Sequence, residues 1–193
     1  WYGDGPMATV EPPASAPEPI ERVFTTTVET AVGALRLLAT DRGLAFLALP
    51  RAAGSGLSGG LSRVAPGARR EEAFAPLRDA ARQLGEYLAG KRTAFDLPLD
   101  LRGTPFQRAV WAQLLTIPYG ETRSYADVAR AVGRPHAVRA VGTANGANPV
   151  AIIVPCHRVI QSGGKLGGYG GGLDLKRRLL AMEQSVRHQG ALL

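Results

Sequence analysis

The sequence predicts an α+β protein in two parts, a small antiparallel-sheet α/β domain followed by a helical domain with a helix-turn-helix. Three observations predict it. Short β-type apolar runs crowd the stretch after residue 22, a helical apolar period takes over past residue 100, and the charge divides along the same line. Residues 101–193 carry 12 Lys+Arg against 4 Asp+Glu, whereas residues 1–100 carry 11 against 12, so the whole excess of +7 sits in the second half. An arginine-rich unit attached to a neutral one points to a polyanionic partner, because cationic surfaces gain affinity for phosphate backbones by releasing counterions. The expected boundaries are a tail at 1–20, a scaffold domain at 21–97, a second, basic domain at 98–188, and a short tail at 189–193.

Composition narrows the class further. At 193 residues and 45% hydrophobic the chain is long enough to bury a proper core. No run approaches the roughly 18–20 consecutive apolar residues of a membrane span, and the first residues lack the charge and apolar core of a signal peptide, so a cytoplasmic location is expected. A single cysteine forms no internal disulfide and no multi-cysteine zinc site. Neither a metal nor a cofactor is expected.

Taken in order, "VFTTTVET", "ALRLLAT" and "LAFLAL" read as strands of a meander, separated by "AVG" and "DRG". The stretch 52–70, "AAGSGLSGGLSRVAPGARR", reads as a flexible loop. In "EEAFAPLRDAARQLGEYLAG" the apolar positions Phe74, Leu77, Ala81, Leu84 and Leu88 follow a helical period, with acids in the first turn and Gly90 as a stop. "FDLPLDLRG" is extended and joins the halves. Thr104 and Pro105 open a helix through "FQRAVWAQLLTI"; Ser124 caps a second, "YADVARAV"; Pro135 starts a third, "HAVRAVGTANGA". Two short helices joined by "GRP" make a helix-turn-helix, common in α-rich proteins, and its basic surroundings turn the reading towards DNA.

That third helix carries Gly142 and Gly146, each costing about 1 kcal/mol relative to alanine. Small residues allow close approach, either by a neighbouring helix or by the wall of a narrow groove, and Arg139 stands among them as a probe. The β-branched run Val150, Ile152, Ile153, Val154 predicts a buried strand ended by Pro155, which puts Cys156 at the start of a turn. His157 and Arg158 follow at once and are candidates to favour the thiolate. Pairing Cys156 with His157 demands a sharp turn, since neighbours on an extended chain face opposite ways. Tyr169 stands in a glycine-rich loop that either links elements or lines a pocket. A last helix, about Leu173–Ser185, places Glu183 near its end, where a carboxylate requires a partner. Cys156, His157 and Glu183 fit the pattern of nucleophile, base and orienting acid.

"PCHRV", preceded by "NGANPVAIIV" and followed by "GYGGGLDLKRRLLAME", resembles the active-site segment of the O6-alkylguanine-DNA alkyltransferases, and "RGTPFQRAVWAQLLTIPYGETRSYADVARAVG" extends the resemblance over about residues 100–185. The resemblance implies a winged-helix-like second domain and a monomer that binds double-stranded DNA containing O6-alkylguanine through the minor groove. It implies that the damaged base is flipped out and its alkyl group moved irreversibly to Cys156, with His157 as base through a bound water and Glu183 orienting it. By the same likeness Arg139 fills the space of the extruded base, Tyr125 presses on the target phosphate, and Asn148 braces the turn before the active site. The backbone of Cys156 and Val159 would read the guanine amine, and Tyr169 and Gly170 would contact the ring and its O6. Some members carry Ser where Gly170 stands. With no cluster of Cys and His in the first half, the sequence resembles the constitutive, single-function type. The rival readings are a non-catalytic helix-turn-helix protein that binds or regulates at DNA damage, and a cysteine hydrolase built on Cys156 and His157.

Overall fold

The computed structural model describes residues 23–50, 69–70 and 74–190. The expected tail at 1–20 and nearly all of the glycine-rich loop lie outside them. β1 (Val23–Val28), β2 (Leu35–Thr40) and β3 (Gly43–Ala48) form the predicted antiparallel meander. The last two residues assigned to the loop instead form β4 (Arg69–Arg70), parallel to β1, giving the order β3-β2-β1-β4. β2 is apolar on both faces: Leu35, Leu37 and Ala39 enter the main core, and Leu38 packs with Ala45 on the other side.

α1 (Ala75–Leu88) lies against this sheet, and Phe74, just before it, stacks on Phe24 at 3.9 Å between centroids. Its first turn holds no acid, because Glu71 and Glu72 precede it and fall outside the described residues. Its buried face is Leu77, Ala80, Gln83, Leu84 and Tyr87, so the face is rotated from the predicted one and includes two polar side chains. Gln83 resolves its burial by donating to the Asp96 carbonyl and accepting from the Asp96 N–H, both at 2.8 Å, which fixes the linker to the helix.

The linker then runs along β3. Leu44 donates to the Pro98 carbonyl at 2.8 Å, and Asp100 donates back to the Leu44 carbonyl at 3.0 Å. Gly43 is required here, because with φ of 136° a Cβ would sit 2.3 Å from the Pro98 oxygen. Further along the same strand Leu47 donates to the Pro149 carbonyl at 2.8 Å. One edge strand of the first domain therefore carries both the linker and the segment leading to Cys156.

In the second half α2 (Pro105–Leu115) and α3 (Tyr125–Ala131) begin with full capping boxes, Thr104 with Gln107 and Ser124 with Asp127. α4 (Val138–Gly146) starts three residues after Pro135, since residues 134–137 are used in the turn between the helices. Trp111 of α2, almost wholly buried, donates its indole N–H to the Ala144 carbonyl at 2.8 Å and locks α4 in place. β5 (Arg123–Ser124) and β6 (Val159–Ile160) form a two-residue parallel pair, and α5 (Leu173–Gly190) closes the fold. Among the described residues no helix is long and apolar enough to cross a membrane.

Candidate active site

The segment before Cys156 is a knot of turns where a strand was expected. Ala151 and Val154 bridge each other, Val154 N–H reaches back to the Val150 carbonyl at 2.9 Å, and Ile152 has φ of 72°. A β-branched residue in the left-handed region is strained, and it persists here because the chain around it is tied down on all sides. Asn148 does much of the tying: its Oδ1 accepts the Val150 N–H at 3.0 Å and its Nδ2 donates to the Val154 carbonyl at 2.8 Å. Pro155 then makes an inverse γ-turn, φ −82° and ψ 61°, with Cys156 N–H donating to Val154 at 2.8 Å. The chain enters a 3₁₀ turn over Cys156–Arg158, the sharp change of direction that a Cys-His pair demands.

All three residues of that turn are buried: Cys156 is 5% exposed, His157 0% and Arg158 7%. They meet Glu183 of α5, also 0% exposed. Its Oε1 lies 2.9 Å from His157 Nε2 and accepts from Arg158 Nη2 at 2.8 Å. Its Oε2 accepts from Arg158 Nε at 2.9 Å and from the Gly120 N–H at 3.0 Å. The Tyr87 hydroxyl, delivered by α1, donates to Oε1 at 2.5 Å. Burial works against this carboxylate, yet the hydrogen bonds from His157 and Arg158 outweigh it and hold its pKa down at about 2. Because α5 continues to Gly190, Glu183 stands well inside the helix and its partners, not the helix end, decide its charge.

An ionised Glu183 can only accept, so the neutral imidazole carries its proton on Nε2 and presents a lone pair at Nδ1. His157 Nδ1 is buried and has no partner among the described residues. Burial lowers the His157 pKa; Glu183 opposes this, and the charges of Arg158 and Lys176 add to the lowering. The histidine is therefore a neutral base, oriented on one side and unengaged on the other.

Cys156 differs from the expectation of a thiol ionised by His157 or Arg158. Burial pushes it above its ordinary value, while the Asn148 amide and the Lys176 ammonium pull the other way. Arg158 is committed to Glu183, and the cation near the sulfur is Lys176. That lysine, 0% exposed, donates to the carbonyls of Val159 at 2.7 Å and Leu166 at 2.5 Å, and burial brings it down to about 8. The resting Cys156 is a protonated thiol.

The remaining predicted residues divide into two groups. Tyr125 opens α3, half-buried; burial and then the proximity of Cys156 raise its pKa, and its ring meets Gly167, where a Cβ would lie 3.1 Å from the hydroxyl. Tyr169 is set edge-on to His157, 6.4 Å between centroids, with a buried hydroxyl that has no partner. Val159 has its carbonyl on Lys176, and Gly170 is exposed with open space at its Cβ position, so serine fits there. Tyr125 and Tyr169 both lie close enough to Cys156 to feel its charge. Arg139 does not join them: it projects from the exposed face of α4 and makes no ion pair among the described residues. Sequence reasoning missed Tyr87, Gly120 and Lys176. The lysine had a signal, being in helical phase with Leu179, Leu180 and Glu183 on an apolar stripe.

Known proteins share both halves. Residues 23–101 match the ribonuclease-like domain of 6-O-methylguanine DNA methyltransferase, and residues 105–185 match its DNA-binding domain. A methylated-DNA–protein-cysteine methyltransferase of Mycolicibacterium paratuberculosis is 63% identical over 114 residues, 59% of this chain and 68% of that protein. One from Methanosarcina barkeri is 46% identical over 158 residues, 82% of this chain and 95% of the relative. The crystal structure of Mycobacterium tuberculosis OGT in complex with DNA superimposes with a TM-score of 0.73 at 45% identity, covering 84% of this chain and 94% of the other. Two domain models in the right order, and a relative matched over nearly its whole length, leave one assignment: the chain belongs to the methylated-DNA–protein-cysteine methyltransferase family.

Proposed function

We propose that this protein repairs alkylated DNA by moving the alkyl group of O6-alkylguanine onto its own Cys156, once per molecule. The observation that carries the reading is the Cys156–His157–Glu183 arrangement: a buried thiol beside a neutral imidazole whose Nδ1 is unengaged and whose Nε2–H is fixed on an ionised carboxylate. A water at Nδ1 relays the thiol proton to His157, and the thiolate attacks the alkyl carbon of the flipped base. The S–C bond forms as the C–O6 bond breaks. The electron pair stays on the purine, which takes the proton and leaves as ordinary guanine. Sulfur ends as a thioether that nothing nearby can hydrolyse, so the protein is a reagent consumed by its reaction.

A base within the stack cannot reach Cys156, so the nucleotide rotates out at a cost of a few kcal/mol, less for a damaged pair. α4 supplies the grip in the minor groove. Arg139, Gly142, Thr143 and Gly146 share one helix face, and the glycines are not explained by packing within the protein. A Cβ at Gly146 would meet nothing within 4 Å, and one at Gly142 would only touch Tyr125 at 4.0 Å. This supports close approach by an external backbone, with Arg139 entering the vacated stack and Tyr125 steering the phosphate. Tyr169, Gly170 and the backbone of Cys156 and Val159 hold the purine, Asn148 keeps their turn in shape, and the protein acts as a monomer in the cytoplasm.

Intact-protein mass measurement after incubation with duplex carrying O6-methylguanine tests the reading. The expected result is a gain of one methyl per molecule, mapped to Cys156 and never exceeding one equivalent. Binding without a mass gain would instead favour a damage-recognition protein, and repeated turnover on esters a hydrolase.

A further inference from the structure

The first domain reaches the reactive centre through one hydroxyl. We infer that Tyr87 is a positioning residue that sets the proton affinity and tautomer of His157 through Glu183, which makes the first domain part of the alkyl-transfer machinery. The inference rests on the function proposed above and deepens it.

Tyr87 stands on α1, 70 residues from His157 and 96 from Glu183, and is 0% exposed. Its hydroxyl donates to Glu183 Oε1 at 2.5 Å and lies 3.3 Å from His157 Nε2, within reach of both members of the pair. Aromatic neighbours from either side of the linker aim the ring: Phe95 at 5.1 Å and Tyr119, edge-on, at 5.9 Å. Two other elements also hold the carboxylate, the 3₁₀ turn through Arg158 and the Gly120 N–H after α2, so its place in the fold survives loss of the hydroxyl. Tyr87 is the third residue, after His157 and Arg158, to bond Oε1, the oxygen that faces His157.

Each donor spreads the negative charge of Oε1 and reduces what it can offer an imidazolium. The other groups acting on the imidazole are Arg158 and Lys176, both lowering its basicity, and Tyr169, which presents only a ring edge. Removing the Tyr87 hydroxyl concentrates charge on Oε1, so His157 becomes more basic. Arg158 and Gly120 still hold the carboxylate in place, but Oε1 loses one of the contacts that fix its rotation, so its bond to Nε2 is less tightly aimed and Nδ1 with it. The two effects move His157 towards a protonated or mixed-tautomer state, in which it is a poorer acceptor for the thiol proton.

The test uses the full chain and Tyr87→Phe, which keeps the ring and removes the oxygen. Nitrogen-15 NMR of the imidazoles, with His157 assigned by its absence in His157→Gln, should show an Nε2–H tautomer in the parent. In Tyr87→Phe the titration should rise by half a unit or more, on the order expected for one lost hydrogen bond. The acid limb of methyl transfer should move up with it, and the plateau rate fall roughly tenfold, a part of what a general base contributes. Leu84→Ala, a core truncation on the same helix that removes no hydrogen bond, should lower the melting temperature and leave the His157 titration in place. An unmoved or lowered titration in Tyr87→Phe, or an equal shift in Leu84→Ala, overturns the inference. A parent protein that takes up no methyl overturns the proposed function instead, and the NMR result is read separately from it.

Discussion

The turn at Cys156 and the outer face of α4 use charge in opposite ways. Around the turn, His157, Arg158, Lys176 and Glu183 are almost completely buried and engage one another or backbone carbonyls at up to four elements. Desolvating such groups is expensive, and only dense hydrogen bonding offsets it. On α4, Arg139 stands in solvent beside glycines with open space above them. Reaction requires groups fixed in one protonation state, and docking requires cations free to meet phosphate. The difference predicts which substitutions damage the fold, which damage the chemistry, and which damage only the encounter with DNA.

The sharpest separation comes from the nucleophile. Cys156→Ser should abolish methyl uptake completely while duplex binding and melting temperature stay near those of the parent, because serine keeps the shape of the small side chain and can take up the same Asn148 contact. A residual methylated species at any residue would place the acceptor elsewhere.

Glu183→Gln should damage both properties together. It leaves Arg158 buried without its counterion, a change that typically costs about 3–5 kcal/mol, and it loosens His157, for a rate loss of roughly 100-fold. A pH series adds the sign. The folded pKa of about 2 lies below the ordinary 4.5, so the carboxylate contributes stability in full above about pH 4.5 and loses it as the pH falls towards 2. Urea midpoints measured from pH 6 downwards should drop through that window in the parent and drop less in Glu183→Gln. Parallel curves would show that Glu183 is not held by its partners as described.

Arg139→Ala should do the reverse. With no ion pair among the described residues to lose, its effect on stability should stay within about 0.5 kcal/mol. If Arg139 holds the flipped state open as proposed, repair of duplex should slow by about 10-fold or more, whereas reaction with free O6-alkylguanine should change little. Equal losses on both substrates would remove Arg139 from base extrusion.

The same contrast explains what the sequence disclosed. Capping at Thr104 and Ser124 is local chemistry, and both caps form where they were expected, each completed into a box by Gln107 or Asp127. The meander was equally legible from alternation and turns. The run Val150–Val154 was not, because β-branched composition says strand, while pairing of Val150 with Leu47 a hundred positions away and the Asn148 bonds fold it into turns. In the site, Cys156, His157 and Glu183 could be named from type and order. Tyr87 could not, because nothing in α1 announces that its one buried hydroxyl faces a carboxylate 96 residues on.

The smallest effect discriminates most finely between the two uses of α4. Gly142→Ala replaces an interior glycine of α4 and Gly146→Ala its last residue, neither with a steric conflict inside the protein, since the nearest heavy atom is 4.0 Å away in the first and beyond 4 Å in the second. Backbone entropy then favours the alanine by up to about 1 kcal/mol, and both variants should be slightly more stable in urea. If the face lies against a groove wall, each added methyl should also weaken duplex binding, Gly146→Ala on the open side at least as much as Gly142→Ala beside Tyr125. Stability that rises with affinity unchanged would mean that the glycines answer to neither packing nor DNA, and the groove reading of this face would fall.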